Sequence, residues 1–280
     1  MQIVDTKQDV RDAVATARAQ GKSIGLVPTM GALHEGHLSL VKAAASECDF
    51  VVVSIFVNPT QFGPGEDLDR YPRDLEGDAA KLQPAGADLI FAPDPAEIYA
   101  DDASTVVSVG SLIEGLCGAF RPGHFDGVTT IVSKLFNIVQ PDRAFFGRKD
   151  YQQLVVIRQM ARDLDMPVEV IGLPTVREAD GLALSSRNAY LTPEQRADAP
   201  KLQQALQAGV RAARDGATGA EVERVVRDTL AQEPLFDVQY VQAVDANTLQ
   251  SLGDETGPMV IAAAAHLGKT RLIDNVAVED

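Results

Sequence analysis

The chain is short of the residues that most readily announce a function by their numbers. It holds 2 cysteines and 4 histidines in 280 residues, and its 25 Lys and Arg are outnumbered by 40 Asp and Glu. Cys48 and Cys117 are isolated, with no CxxC or Cys–His spacing. That excludes a zinc ribbon and a disulfide framework, and leaves two small apolar side chains suited to a reducing compartment. The net charge of -15 and a pI near 4.6 exclude the broad cationic surface that a nucleic-acid backbone requires, while still allowing a local pocket for one nucleotide. Long apolar runs are missing as well. The stretches 50–57 and 259–265 fall far below the ~20 residues that cross a bilayer. The opening Met1-Gln2-Ile3-Val4-Asp5 lacks the basic-then-apolar layout of a secretory leader. No repeat or low-complexity tract stands out. These absences predict a cytoplasmic protein with neither nucleic acid nor membrane as partner.

What is present is ordinary globular composition, 45% hydrophobic and 23% charged, at a length where one core tends to split in two. Val10, Val14 and Ala17 recur at helical spacing before Gly21. Residues 24–27 read as a strand, 37–45 as a helix, and 50–57 as a strand apolar on both faces, which belongs in the middle of a parallel sheet. A helix over 74–82 and a strand over 87–92 follow. Then come a helix over 127–139, a strand over 144–146, a helix over 151–164 and a strand over 168–173. Strand and helix in alternation predict an α/β fold, a Rossmann-like wound parallel sheet. After Pro174 the composition changes. One helix over 193–214, another over 221–230, and strands over 237–244, 259–265 and 270–273 predict a smaller α+β C-terminal domain. The expected division is 1–174 and 175–280.

The histidines are not scattered. His34 and His37 lie three residues apart in Val27-Pro28-Thr29-Met30-Gly31-Ala32-Leu33-His34-Glu35-Gly36-His37, at a strand-to-helix junction. An open α/β sheet places a nucleotide there. Gly31 and Gly36 permit close backbone approach, amides at the helix start favour phosphate oxygens, and an imidazole can donate to an oxygen as pyrophosphate leaves. A structural turn with capping histidines is the alternative for the bare pattern. A second constellation, Phe146-Gly147-Arg148-Lys149-Asp150-Tyr151-Gln152-Gln153, repeats the strand-to-helix geometry. Lys149 is a compact cation for a phosphate, Asp150 either a ligand contact or a helix cap, and Gln153 lies four residues beyond Lys149 on the same helical face. A third, Leu184-Ser185-Ser186-Arg187-Asn188, offers two hydroxyls and a guanidinium for a triphosphate, though such residues are also common in loops. Asn58-Pro59-Thr60-Gln61 ends the most apolar strand, and Gln61 suits a hydroxyl or carboxylate. In Arg121-Pro122-Gly123-His124-Phe125, a loop with cationic potential, His124 reads as a loop histidine. His266 reads as a structural residue at a strand end.

Taken in order, these motifs resemble the pantothenate synthetase family, within the wider class of nucleotidyltransferases that carry His-x-Gly-His. The resemblance runs over nearly the whole chain, with one departure at Arg148, a position more often acidic or amide. It implies a ligase that activates pantoate with ATP as pantoyl adenylate and then passes the acyl group to β-alanine, releasing AMP. It implies Mg2+ accompanying the ATP phosphates, no protein-held metal, and a homodimer. By the same resemblance, Met30, Gly31, Ala32, Leu33, His34, Glu35, Gly36 and His37 line ATP, with His34, His37 and Lys149 catalytic. Gly147, Arg148, Lys149, Asp150, Val176, Leu184, Ser185, Ser186 and Arg187 complete the ATP site. Gln61 holds pantoate and β-alanine, and Gln153 holds pantoate. Two other readings compete. An adenylyl- or cytidylyltransferase would leave the nucleotide on its product, and a non-catalytic nucleotide sensor would turn nothing over.

Overall fold

A computed structural model describes residues 1–278. In chain order the first elements are β1 (Gln2–Val4), α1 (Lys7–Ala19), β2 (Ile24–Thr29), α2 (Glu35–Glu47), β3 (Phe50–Ile55), α3 (Leu75–Ala85) and β4 (Leu89–Phe91). There follow α4 (Pro95–Ile98), α5 (Leu116–Phe120), α6 (His124–Val139), β5 (Arg143–Gly147), α7 (Tyr151–Asp163) and β6 (Glu169–Leu173). The last are α8 (Pro193–Asp198), α9 (Lys201–Arg214), α10 (Gly219–Leu230), β7 (Phe236–Asp245), β8 (Met259–Leu267) and β9 (Thr270–Val278). They divide into two units. The first comprises Met1–Gly110, Arg121–Arg148 and Gln153–Pro174; the second comprises Ser111–Phe120, Lys149–Gln152 and the chain from Thr175 on. Two short stretches within residues 1–174, one of them carrying Lys149, thus go with the second unit.

The first unit is a six-stranded sheet in the order β1-β4-β3-β2-β5-β6, with every pairing parallel. Val27, Val51, Val53, Ile90 and Phe145 pack together beneath α2, almost wholly out of water. Each such side chain contributes roughly 1.5–3 kcal/mol of burial. The chain order reverses at β2, which pairs with β3 on one side and β5 on the other. That reversal is where open α/β sheets bind ligands, beyond the strand ends. Here those ends are Thr29 and Gly147.

Several boundaries differ from the sequence expectation. The strand β1 was not expected, since it has three residues and Ile3 is half exposed, yet it pairs with β4 as an edge strand. The helix expected to stop near 82 runs through Pro84 to Ala85 and ends at Gly86, whose φ of 100° closes it in the left-handed region. So close to the end, the amide that proline lacks costs one backbone bond only. The single helix expected over 193–214 is two, α8 and α9, parted at Ala199 and Pro200, where the amide that mid-run Pro200 lacks interrupts the ladder.

In the second unit β7, β8 and β9 form an antiparallel meander. Leu202, Leu206 and Val210 of α9 and Val222, Val226 and Leu230 of α10 pack on one face. On the other face Leu116 lies with Tyr240 and Val260, and Phe120 stacks on Tyr240 at 5.7 Å. Burial pushes the Tyr240 phenol pKa up. Covered on both faces, β8 is apolar without a break from Met259 to Ala265 although its sheet is antiparallel.

Candidate active site

The turn after β2 begins with a proline inside the strand. Pro28 is tolerated because β5 pairs with β2 only at Gly25 and Leu26, so no ladder bond is lost on that side. The Thr29 hydroxyl then donates to the Ser54 carbonyl at 2.7 Å and accepts the Gly31 amide at 3.2 Å. Gly31 has φ of 82° and Ala32 of 51°. For alanine the left-handed conformation costs about 1–2 kcal/mol, so something must hold it. Asp78 does. Its carboxylate, 1% exposed, accepts the amides of Ala32 and Leu33, each at 2.8 Å. Lys81 pairs with Asp78 at 3.7 Å and donates to the Leu33 carbonyl at 2.8 Å. Sequence reasoning missed Asp78. The only local signal is an acid four residues past the helix cap Asp74, and its targets lie 45 and 46 residues away.

The turn delivers His34 as the N-cap of α2. His34 Nδ1 accepts the Gly36 amide at 3.1 Å, and His37 Nδ1 accepts the His34 amide at 3.4 Å. The ring centroids lie 4.1 Å apart. With both Nδ1 atoms acting as acceptors, the hydrogen-bond network assigns the proton of each neutral ring to Nε2. This amends the expectation of free amides at the helix start. The Gly36 amide is spent on His34, and the amides of His37 and Leu38 both reach the His34 carbonyl. The imidazoles hold the amides at one nitrogen and carry a donor at the other. Met30 is half-buried, and Glu35 is exposed and paired with Lys42 at 3.4 Å.

Asn58, 1% exposed, is the hub of the turn after β3. Its amide donates to Gln61 Oε1 and to the Gly127 carbonyl, both at 3.1 Å. Its oxygen accepts from Thr60 at 3.0 Å and from Tyr99 at 2.8 Å. Burial pushes the Tyr99 pKa up, against the lowering effect of its bonds to Thr60 and Asn58. Gly127 is required here, since a Cβ would stand 2.5 Å from the Thr60 carbonyl oxygen. Gln61 itself is 9% exposed, and its Nε2 donates to Met30 Sδ at 3.3 Å. His124 is more than the loop histidine of the sequence reading: its Nδ1 meets the Gln61 carbonyl at 2.8 Å and its Nε2 meets Arg121 Nη1 at 3.0 Å. Arg148 is exposed and donates to the Gly172 carbonyl at 3.2 Å. Gly147 ends β5, and Gln153 is half-buried near the start of α7.

Within the second unit, Lys149 and Asp150 lie in a 3-10 turn that leads into α7. The Lys149 carbonyl accepts the Asn275 side-chain amide at 2.8 Å. Val176 and Leu184 pair through the bond from the Leu184 amide to the Val176 carbonyl. Ser185 then caps a turn holding Ser186 and Arg187, accepting the Arg187 amide at 3.3 Å. The base of this hairpin is gripped from β9. Asp274 holds Arg177 through two bonds of 2.6 and 2.9 Å, and Arg177 donates to the Gly181 carbonyl at 3.0 Å. Asp274 and Asn275 carried no motif by which sequence alone could mark them. Cys48 and Cys117 are free thiols in the interior, and burial raises the Cys48 pKa. His266 lies within β8, opposite Asp237 and Arg271.

Comparison with known proteins agrees along the whole chain. The profile of the family described as pantoate-beta-alanine ligase matches residues 2–277. A pantothenate synthetase of Moorella thermoacetica is 56% identical over 280 residues, covering 100% of this chain and 99% of that protein. The crystal structure of a Thermus thermophilus pantothenate synthetase superposes with a TM-score of 0.95 at 51% identity, covering 100% of both chains. A Francisella tularensis pantoate-beta-alanine ligase, solved in complex with beta-gamma ATP and beta-alanine, superposes at 0.83 with 36% identity, over 100% of this chain and 98% of its own.

Proposed function

The chain belongs to the pantoate-beta-alanine ligase family, and we propose that it joins pantoate to β-alanine in two steps driven by ATP. A carboxylate oxygen of pantoate attacks the α-phosphorus and pyrophosphate leaves, giving pantoyl adenylate. The amine of β-alanine then attacks the acyl carbon and AMP leaves. The observation that carries this reading is the histidine pair. With Nδ1 of each ring accepting a backbone amide, each ring is set as a donor through Nε2. The first step needs donors to departing oxygens and no base, because a carboxylate nucleophile has no proton to lose.

The remaining roles are assigned by motif. In the first unit Met30, Gly31, Ala32, Leu33, His34, Glu35, Gly36, His37, Gly147 and Arg148 serve ATP. Gln61 serves pantoate and β-alanine, and Gln153 serves pantoate. In the second unit Lys149, Asp150, Val176, Leu184, Ser185, Ser186 and Arg187 serve ATP, with Lys149 supplying charge to the phosphates. Among the described residues no three His, Cys, Asp or Glu side chains gather as a set that could hold an ion. A magnesium ion would accompany the triphosphate, as the family resemblance implies, and would neutralise charge on the phosphate oxygens. No helix among the described residues is long and apolar enough to cross a membrane. We assign the protein to the cytoplasm as a homodimer, the assembly that the family resemblance implies.

The test is nucleotide analysis with pantoate and β-alanine omitted in turn. We expect AMP only when both are present, and pantoate-dependent exchange of pyrophosphate into ATP without β-alanine. ADP as the product, or turnover indifferent to pantoate, overturns the proposal.

A further inference from the structure

The motif Arg121-Pro122-Gly123-His124-Phe125 has so far been given no role in the reaction. We infer that Glu66, Arg121 and His124 are positioning residues that fix Gln61 through its backbone carbonyl, and so set the pantoate contact proposed for its side chain. The inference rests on that assignment of Gln61. Its support is a chain of bonds within the first unit. Arg121 donates through Nε to Glu66 Oε1 at 2.7 Å and through Nη2 to Glu66 Oε2 at 2.5 Å. The pair is largely withdrawn from water, with side-chain exposures of 17% and 25%. Burial raises the Glu66 pKa, but the bond and charge of Arg121 outweigh it, and the net shift is downward. Arg121 Nη1 lies 3.0 Å from His124 Nε2, and Arg121 Nη2 donates to the Gln61 carbonyl at 3.4 Å. His124 Nδ1 lies 2.8 Å from the same carbonyl. A carbonyl can only accept, so Nδ1 carries the proton and Nε2 accepts from the guanidinium.

Gln61 is therefore held from several sides. Its carbonyl is taken by His124 and Arg121, its Oε1 by Asn58, and its backbone nitrogen packs where Gly127 leaves no room for a Cβ. Its Nε2 donates to the thioether of Met30 at 3.3 Å. A thioether is a weak acceptor, which a substrate carboxylate or hydroxyl oxygen outcompetes. The rival role for Arg121 is to bind the substrate carboxylate itself. Against that, both oxygens of Glu66 are engaged with it in the bidentate geometry that satisfies a guanidinium edge. Arg121 acts through His124 and Gln61, not on the substrate.

The experiment measures KM for pantoate and for ATP in pantoate-dependent exchange of pyrophosphate into ATP, using the full chain. In Glu66→Gln and in His124→Ala we expect pantoate KM to rise about tenfold, the loss of one charge-assisted bond, with ATP KM within about twofold. His124→Asn restores a donor near the Nδ1 position and should recover most of the loss. Gln61→Ala is the reference. If it leaves pantoate KM unchanged, the assignment of Gln61 fails. If it raises pantoate KM while Glu66→Gln and His124→Ala do not, the positioning role alone is overturned. A fall of pantoate KM in Glu66→Gln also overturns it, by showing that Arg121 binds the substrate once released from Glu66. Should Glu66→Gln fail to fold, the Ala and Asn variants of His124 decide.

Discussion

Two polar turns, one leading to His34 and the other to Ser185, are each fixed by a single buried carboxylate, in contrasting ways. Asp78 takes the amides of Ala32 and Leu33 directly. Asp274 works through an intermediary, holding Arg177, which holds the Gly181 carbonyl. The first grip acts on the backbone at a left-handed residue and tolerates little displacement. The second runs through a long side chain whose partner can be mutated. A carboxylate satisfied by the amides of a strained turn is thus hard to replace; Asp274 also takes the Asn275 amide at 2.8 Å, but its main partner is a guanidinium, and that pair can be exchanged together.

The largest effect should come from the group that the first grip exists to present. His34→Ala combined with His37→Ala is expected to slow adenylate formation by about 10³-fold or more. Stability should fall by only about 1 kcal/mol, the value of a helix cap. Single-turnover rates and thermal melts together read both. Next is Asp78→Ala, expected to cost about 3 kcal/mol in denaturant titration, since it strands the amides of Ala32 and Leu33 at a left-handed turn. Arg177→Ala should cost about 2–3 kcal/mol by removing the guanidinium that neutralises the Asp274 carboxylate in the interior. The contrast sharpens in double variants. Arg177→Met with Asp274→Leu should recover part of that loss, short of the share owed to the Asn275 amide that Asp274 accepts, whereas at Asp78 two amides of the strained turn are left behind whatever the second substitution. Equal recovery at both places would erase the distinction.

The smallest effect concerns pH. The Glu66 pKa lies below its ordinary value when folded, so its stabilisation is complete above the unfolded value of about 4.3 and is lost as pH falls through the folded one. Wild type and Glu66→Gln should differ in melting temperature at neutral pH and converge in acid. A constant gap down to the lowest pH would assign the difference to something other than this ionisation.

The sequence made the parallel sheet legible because its strands other than β1 carry their own apolar runs, and made the histidine turn legible because two of four histidines share it. What escaped it was long-range. Asp78 matters through partners tens of residues away, and Asn58, though it stands in the turn read with Gln61, is tied to Gly127 and Tyr99 far along the chain. His124 read as a loop histidine because both its acceptor, the Gln61 carbonyl, and the glutamate behind Arg121 lie far off in sequence. The edge strand β1 escaped because three residues give no alternation to read. The break at Pro200 was visible in the sequence, but α8 and α9 share enough helical composition on either side to run together.

Oxygen labelling tests the central claim, carboxylate activation by adenylation, most directly. With pantoate carrying ¹⁸O in both carboxylate oxygens, attack on the α-phosphorus leaves one labelled oxygen on the phosphate when AMP departs, and the other in the new amide. Mass analysis of the nucleotide should therefore find AMP with a single ¹⁸O. Unlabelled AMP, or label in inorganic phosphate alongside ADP, would contradict the account.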